Sequence, residues 1–216
     1  ERYNFLSKID GLLQQPGKLQ IPPDQLVDCV LTASFPINKQ VAPLLSKILA
    51  DILPQNPELI SIFKSEILKF ILLGIRLLND NRPFQLITDV LFQEGNPNEI
   101  INAAVIIANG EKRSLHLESY LISLFTNKND IILEKPALFN LLCYLVHRAY
   151  PEDMQVSDKQ PEYLEDLTKI LEFTSSHQRT LYQEFIDLQT VKAKSILEQF
   201  LVTDQVSCTK QYENTS

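Results

Sequence analysis

Between Pro57 and Asn79 the chain carries apolar side chains on every side of a would-be helix: Leu59, Ile60, Ile62, Phe63, Ile67, Leu68, Phe70, Ile71, Leu72, Leu73, Ile75, Leu77 and Leu78. A helix that is apolar all round is stable in water only when neighbours wrap it. Residues 58–78 are therefore expected to form the central helix of a larger helical body. The longest apolar run within it, 67–78, is interrupted by Lys69 and Arg76 and is too short and too charged to span a bilayer.

The segments on either side read as shorter helices with punctuated ends. Residues 1–14 place Tyr3, Phe5, Leu6, Ile9, Leu12 and Leu13 at helical spacing before Pro16 and Gly17. Pro22-Pro23-Asp24 opens a second helix with Leu26, Val27, Val30 and Leu31 inward, and Phe35-Pro36 marks a turn. Asn38 is placed to cap a third helix over 38–53, where Pro43 falls near the first turn and its missing N–H costs least. Pro83 begins a helix that ends at Gly95, and Asn96-Pro97 begins another that ends at Gly110. A helix over 114–125 follows, and Pro136 opens one that Pro151 closes. Residues 151–160 read as a loop, 176–202 as one long amphipathic helix, and 203–216 as a disordered tail with almost no apolar content. No stretch alternates with period two over five residues, so the expected fold class is all-α, with 1–202 as a single domain.

Composition agrees with helices. Five glycines among 216 residues are too few for a turn-rich β fold or for glycine-rich phosphate loops. The formal net charge of −7 gives no overall attraction to nucleic acid or anionic lipid. Cys29, Cys143 and Cys208 lie far apart and are odd in number, which is no disulfide framework and favours a reducing compartment. The chain opens at Glu1 without a signal-peptide pattern, so a domain of a longer intracellular protein, in cytoplasm or nucleus, is expected.

Helices separated by tight Pro, Gly and Asn turns, pairing roughly every 35 to 45 residues, suggest a stacked array in which each hairpin covers its neighbour. Residues 101–110, Ile-Asn-Ala-Ala-Val-Ile-Ile-Ala-Asn-Gly, resemble the third helix of an armadillo repeat. Ala103 and Ala104 match the family's paired alanines, and Asn109 falls where its ladder asparagine holds an extended peptide. The resemblance implies an armadillo- or HEAT-like right-handed superhelix of stacked antiparallel helices, with a peptide-binding groove. Val105 stands where the family usually carries tryptophan, and the chain has no tryptophan, so lysine-holding tryptophan ledges are not implied.

Chemistry finds little footing. His116, His147 and His177 are isolated, and Cys143 with His147 shares a helix face without a second pair to complete a metal site. No nucleophile elbow, CxxC or HExxH pattern occurs. Neither catalytic residues, metal nor cofactor are expected. The function that follows is a non-catalytic interaction scaffold that receives a peptide or helix of another protein. Asn102, Asn109, Tyr182 and Phe185 are its candidate contacts, and homodimerisation through the last helix is a further route. The competing class, a nucleic-acid-binding helical repeat, requires a basic stripe from Lys64, Lys69, Arg76, Arg82, Lys112 and Arg113. The acids over 152–172 are expected to form a solvated face, with docking of a basic partner as the alternative.

Overall fold

The computed structural model describes residues 1–15, 17–126, 132–150 and 163–209, with side chains described as far as residue 201. The described residues are all-α, and none of their helices is long and apolar enough to cross a membrane. The chain forms two compact units, Glu1–Leu121 and Ile122–Ser216.

The first unit contains α1 (Arg2–Leu13), α2 (Pro23–Thr32), α3 (Val41–Ile52), α4 (Glu58–Leu78), α5 (Gln85–Glu94), α6 (Pro97–Asn109) and the start of α7 (Leu115–Thr126). Local chemistry sets their ends. Pro23 and Asp24 occupy the first turn of α2, where a missing N–H and a negative charge are both favourable. Asn38 Oδ1 accepts from the N–H groups of Gln40 and Val41, each at 2.9 Å, and so caps α3 from just outside it. Asn96 does the same for α6 through the Asn98 N–H at 3.0 Å, with Pro97 behind it. Asn79 ends α4 in the left-handed region at φ 51°, a conformation in which asparagine is better tolerated than most side chains.

Packing in this unit follows second neighbours. α1 lies on α3 and α3 on α5, while α2 lies on α4 and α4 on α6. Odd helices thus share one layer and even helices another, joined where α2 meets α3 and α5 meets α6. The core runs between the layers. Val41, Leu45, Ile48 and Leu49 of α3 face it, as do Ile67, Leu68, Phe70, Ile71, Leu72 and Ile75 of α4. Each such side chain contributes about 1.5–3 kcal/mol on burial. Wrapping of α4 is not complete: Ile62 and Leu77 stay more than half exposed.

Two contacts fix this packing, one onto α4 and one between α3 and α5. Phe84, fully buried in the short 3-10 turn Arg82–Phe84, meets Phe70 edge-on with ring centres 5.2 Å apart. Its ring also lies against the backbone of α4 at Gly74, where a methyl group would come within 2.0 Å of Phe84 Cζ. Buried Ser46 on α3 accepts the Ile87 N–H at 3.3 Å, taking up one of the unpaired donors in the first turn of α5.

The second unit holds the end of α7, then α8 (Lys135–Ala149), α9 (Leu164–His177), α10 (Arg179–Asp187) and α11 (Val191–Thr209). α9, α10 and α11 pack on one another. Phe125 meets Phe173, and Phe139 meets Phe185, both edge-on. The single helix expected over 176–202 is instead the end of α9, the whole of α10 and the greater part of α11. Gln178 leaves helical geometry at φ −131° and ψ 45°, and its side chain donates to the Leu133 carbonyl at 2.7 Å. A second break over 188–190 leaves Leu188 and Val191 exposed, although regular spacing would place them on the apolar side. The expected boundary at 202 falls within α11, and 210–216 of the expected tail lies outside the described residues, as does the expected loop over 151–160.

Two outcomes follow. Gly74→Ala is expected to lower the stability of the first unit by about 1–3 kcal/mol, because fully buried Phe84 has nowhere to move, and urea denaturation would measure it. The Arg82 guanidinium and backbone N–H, both bonded to Asp80, hold its carboxyl down at about 2. Because the folded value is depressed, this contribution is complete above the ordinary carboxylate range and is lost as pH falls through about 2. NMR titration of the Asp80 carboxyl should place its midpoint there, and Arg82→Ala should return it toward the ordinary range.

Candidate functional site

A concave feature of the first unit opens where the C-terminal ends of α1 and α3 meet the loop leading into α2. It encloses about 440 Å³, within the range of ligand-accommodating clefts. Polar atoms make up most of its exposed lining, and its apolar side chains are Leu12 and Leu13 from α1, Leu19 and Ile21 from the loop, Pro23 and Leu26 from α2, and Ile52 from α3. Gln14, Gln15, Asp51, Gln55 and Asn56 supply the polar groups. Gly17 lines it too, at φ 79°, where a side chain would strain the backbone.

Hydrogen bonds give the rim a direction. Gln14 Nε2 donates to Asp51 Oδ2 at 3.3 Å, Gln55 Nε2 to the Asp51 carbonyl at 3.4 Å, and Asn56 Nδ2 to the Ile52 carbonyl at 3.0 Å. Each of these amides thus spends an N–H on the protein. Behind the cleft, the Lys47 ammonium sits on both oxygens of Asp10, at 2.7 and 2.8 Å, and ties α3 to α1. The hydrogen bonds it donates to Asp10 raise the Lys47 pKa, and the Asp51 charge adds a weaker push in the same direction. The cleft can receive a small group that meets both its aliphatic side chains and its amide and carboxylate groups.

The residues expected to contact a partner fall elsewhere. Asn102 and Asn109 lie on the outer side of α6, seven positions apart and so nearly in line, with Asn102 half-buried and Asn109 exposed. Ile106, 58% exposed, stands between them. The paired alanines divide: Ala104 is buried and Ala103 half-exposed. Tyr182 and Phe185 are fully buried in the second unit, and Tyr182 donates its hydroxyl to the Leu197 carbonyl at 3.0 Å, so neither ring presents a surface to a partner. Tyr120 is buried as well, its hydroxyl 2.8 Å from Thr88 Oγ1. Polar sequence neighbours suggest exposed tyrosines here, but a buried acceptor takes each hydroxyl, and burial pushes both phenols well above their ordinary pKa.

Cys143 and His147 do share a face of α8, and Gln189 reaches both: His147 Nε2 lies 3.2 Å from Gln189 Oε1. Burial raises the Cys143 thiol and leaves it less of a nucleophile. Among the described residues no three His, Cys, Asp or Glu side chains converge for a metal. Of the acidic stretch, Glu165 and Asp166 share Lys169 on α9, and the acids over 152–162 lie outside the described residues. Reasoning from sequence missed the α1–α3 cleft, because its lining comes from two helix ends and a loop far apart in the chain. The available signal was the cluster of Gln14, Gln15, Gln55 and Asn56 beside helix-terminating prolines.

Compared with protein-family models, with curated proteins and with solved structures, the chain matches none of them.

Tyr182→Phe should cost the second unit about 1 kcal/mol through loss of the buried hydroxyl's bond to the Leu197 carbonyl. Thermal unfolding of the variant measures this, and an unchanged midpoint would show that the buried hydroxyl adds nothing.

Proposed function

We propose that this chain is a non-catalytic protein-interaction scaffold working inside the cell, an armadillo- or HEAT-like helical array that receives a segment of another protein. The observation that carries the reading is the α1–α3 cleft: a mainly polar lining with leucine and isoleucine side chains set in it, and a volume that accepts the side chains of a short peptide. Second-neighbour layering of α1 to α6 supports the repeat architecture, because stacked helical hairpins pack in that way. The outer side of α6, with Asn102, Ile106 and Asn109, adds a second surface of suitable chemistry. Leu188 and Val191, exposed at the turn into α11, favour that end of the second unit for self-association.

The nucleic-acid reading draws less support. Lys64 lies beside Glu99, Arg76 beside Glu111, Arg82 beside Asp80 and Arg113 beside Glu118, all within 3.2 Å. Four of the six cations of the required stripe thus have a carboxylate alongside, which cancels the field that would gather phosphates.

The test is affinity capture on the immobilised full chain from nuclease-treated lysate. One protein should be retained in stoichiometric amount, and lost when the half-exposed cleft residue is changed by Ile21→Glu. Exposed Ile132→Glu in the second unit should leave it bound. Retention indifferent to Ile21→Glu, or recovery of nucleic acid alone without nuclease, would overturn the reading.

A further inference from the structure

We infer that Asn109 is a covalent modification site, where attack by the Gly110 nitrogen deamidates the side chain and leaves a carboxylate at the C-terminal end of α6. The modification stands apart from the proposed function. Only its bearing on a partner rests on the outer side of α6 being a contact surface.

Sequence supplies the reacting pair. An asparagine Cγ lies within reach of the backbone nitrogen of the following residue, and their bond closes a five-membered ring. A Cβ on that following residue obstructs the approach, and glycine has none. Among the asparagines of the chain, Asn109 alone precedes a glycine.

Structure supplies the position. Asn109 is the last residue of α6, and both it and Gly110 are exposed. The N–H groups of Gly110 and Glu111 donate to the carbonyls of Ile107 and Ala108, each at 3.1 Å, the i to i+3 bonds of a tightened last turn. Freeing the nitrogen costs these two bonds at a helix end, where local opening is cheap. A Cβ built on Gly110 would meet only the Ile107 carbonyl oxygen, at 3.4 Å, so no side chain hems the attacking atom. Of the charges that follow, Glu111 lies beside Arg76 and Arg113 beside Glu118, while Lys112 adds a positive charge that favours the negative charge of the attacking nitrogen. Two comparisons sharpen the choice. Asn102 lies on the same side of α6 but inside the helix and before Ala103. Asp10 precedes Gly11, yet it lies inside α1 with both carboxylate oxygens on Lys47, and an ionised carboxylate is a poor electrophile.

In the reaction the Gly110 nitrogen bonds to Asn109 Cγ as the Cγ–Nδ2 bond breaks, and the Gly110 amide proton leaves with the ammonia. Water then opens the succinimide at either carbonyl, giving aspartate or isoaspartate. One water is consumed and one ammonia released, with no oxidation or reduction. The new carboxylate stands at the negative end of the α6 dipole, which opposes it and loosens the last turn. The neutral outer side of α6, with Asn102, Ile106 and Asn109, thereby gains a charge as the molecule ages.

The experiment incubates the full chain in mildly alkaline buffer and follows each asparagine by peptide mass spectrometry, with isoaspartyl methyltransferase labelling to detect the rearranged product. A peptide of residues 105–113 is incubated alongside. Residue 109 should convert ahead of every other asparagine, and Gly110→Ala should slow it several-fold with the fold intact by circular dichroism. Asn109→Asp, which carries the charge of the product, should speed amide hydrogen exchange at Gly110 and Glu111. Conversion at residue 10 or 102 as fast as at 109 would overturn the inference. So would an unchanged residue 109 in the folded chain while the peptide converts, because the helix end would then hold the nitrogen out of reach. Capture of a partner by the cleft is read separately and is unaffected by either result.

Discussion

The burial of α4 is the constraint around which the first unit is arranged. Its apolar side chains on nearly all sides oblige the chain to supply α2 and α6 beside it and the Phe84 turn across it. The close approach at Gly74 is the tightest part of that cover. A ring pressed on backbone needs a glycine beneath it, and the ring in turn stacks edge-on against Phe70 from the same helix. The 3-10 turn that carries Phe84 also delivers α5 to Ser46, so one packing event sets the position of the following helix.

From that arrangement the cleft follows as a by-product of helix ends. α1 and α3 run side by side and stop near one another, and the loop from α1 to α2 crosses the gap between their last turns. Side chains there have no helix to cover them. Leucines line the inside, and glutamines and asparagine take up nearby carbonyls, as solvent-facing helix ends require.

Helix positions were widely legible from sequence because their signals are local. Pro57 and Asn79 bound α4, Asn96 and Gly110 bound α6, and both helices end where those residues stand. The capping by Asn38 was legible for the same reason. Features that depend on distant partners were not. Nothing near Gln178 announces a break, since its side chain is held by a carbonyl from before α8. Tyr120 and Tyr182 read as exposed because their sequence neighbours are polar, whereas a single buried acceptor for each hydroxyl makes the interior acceptable. The cleft is invisible for a related reason: its two sides are about forty residues apart, and only packing brings them together.

Second-neighbour layering carries a rule of parity. Because each helix of the first unit leans on the one two places along, odd and even helices have different duties. Insertion or loss of one helix would move every later helix into the opposite layer and turn its apolar face the wrong way. A pair could be gained or lost with the alternation intact. An array of this kind changes length in twos, and its length varies most cheaply at the ends, where only one neighbour must be met.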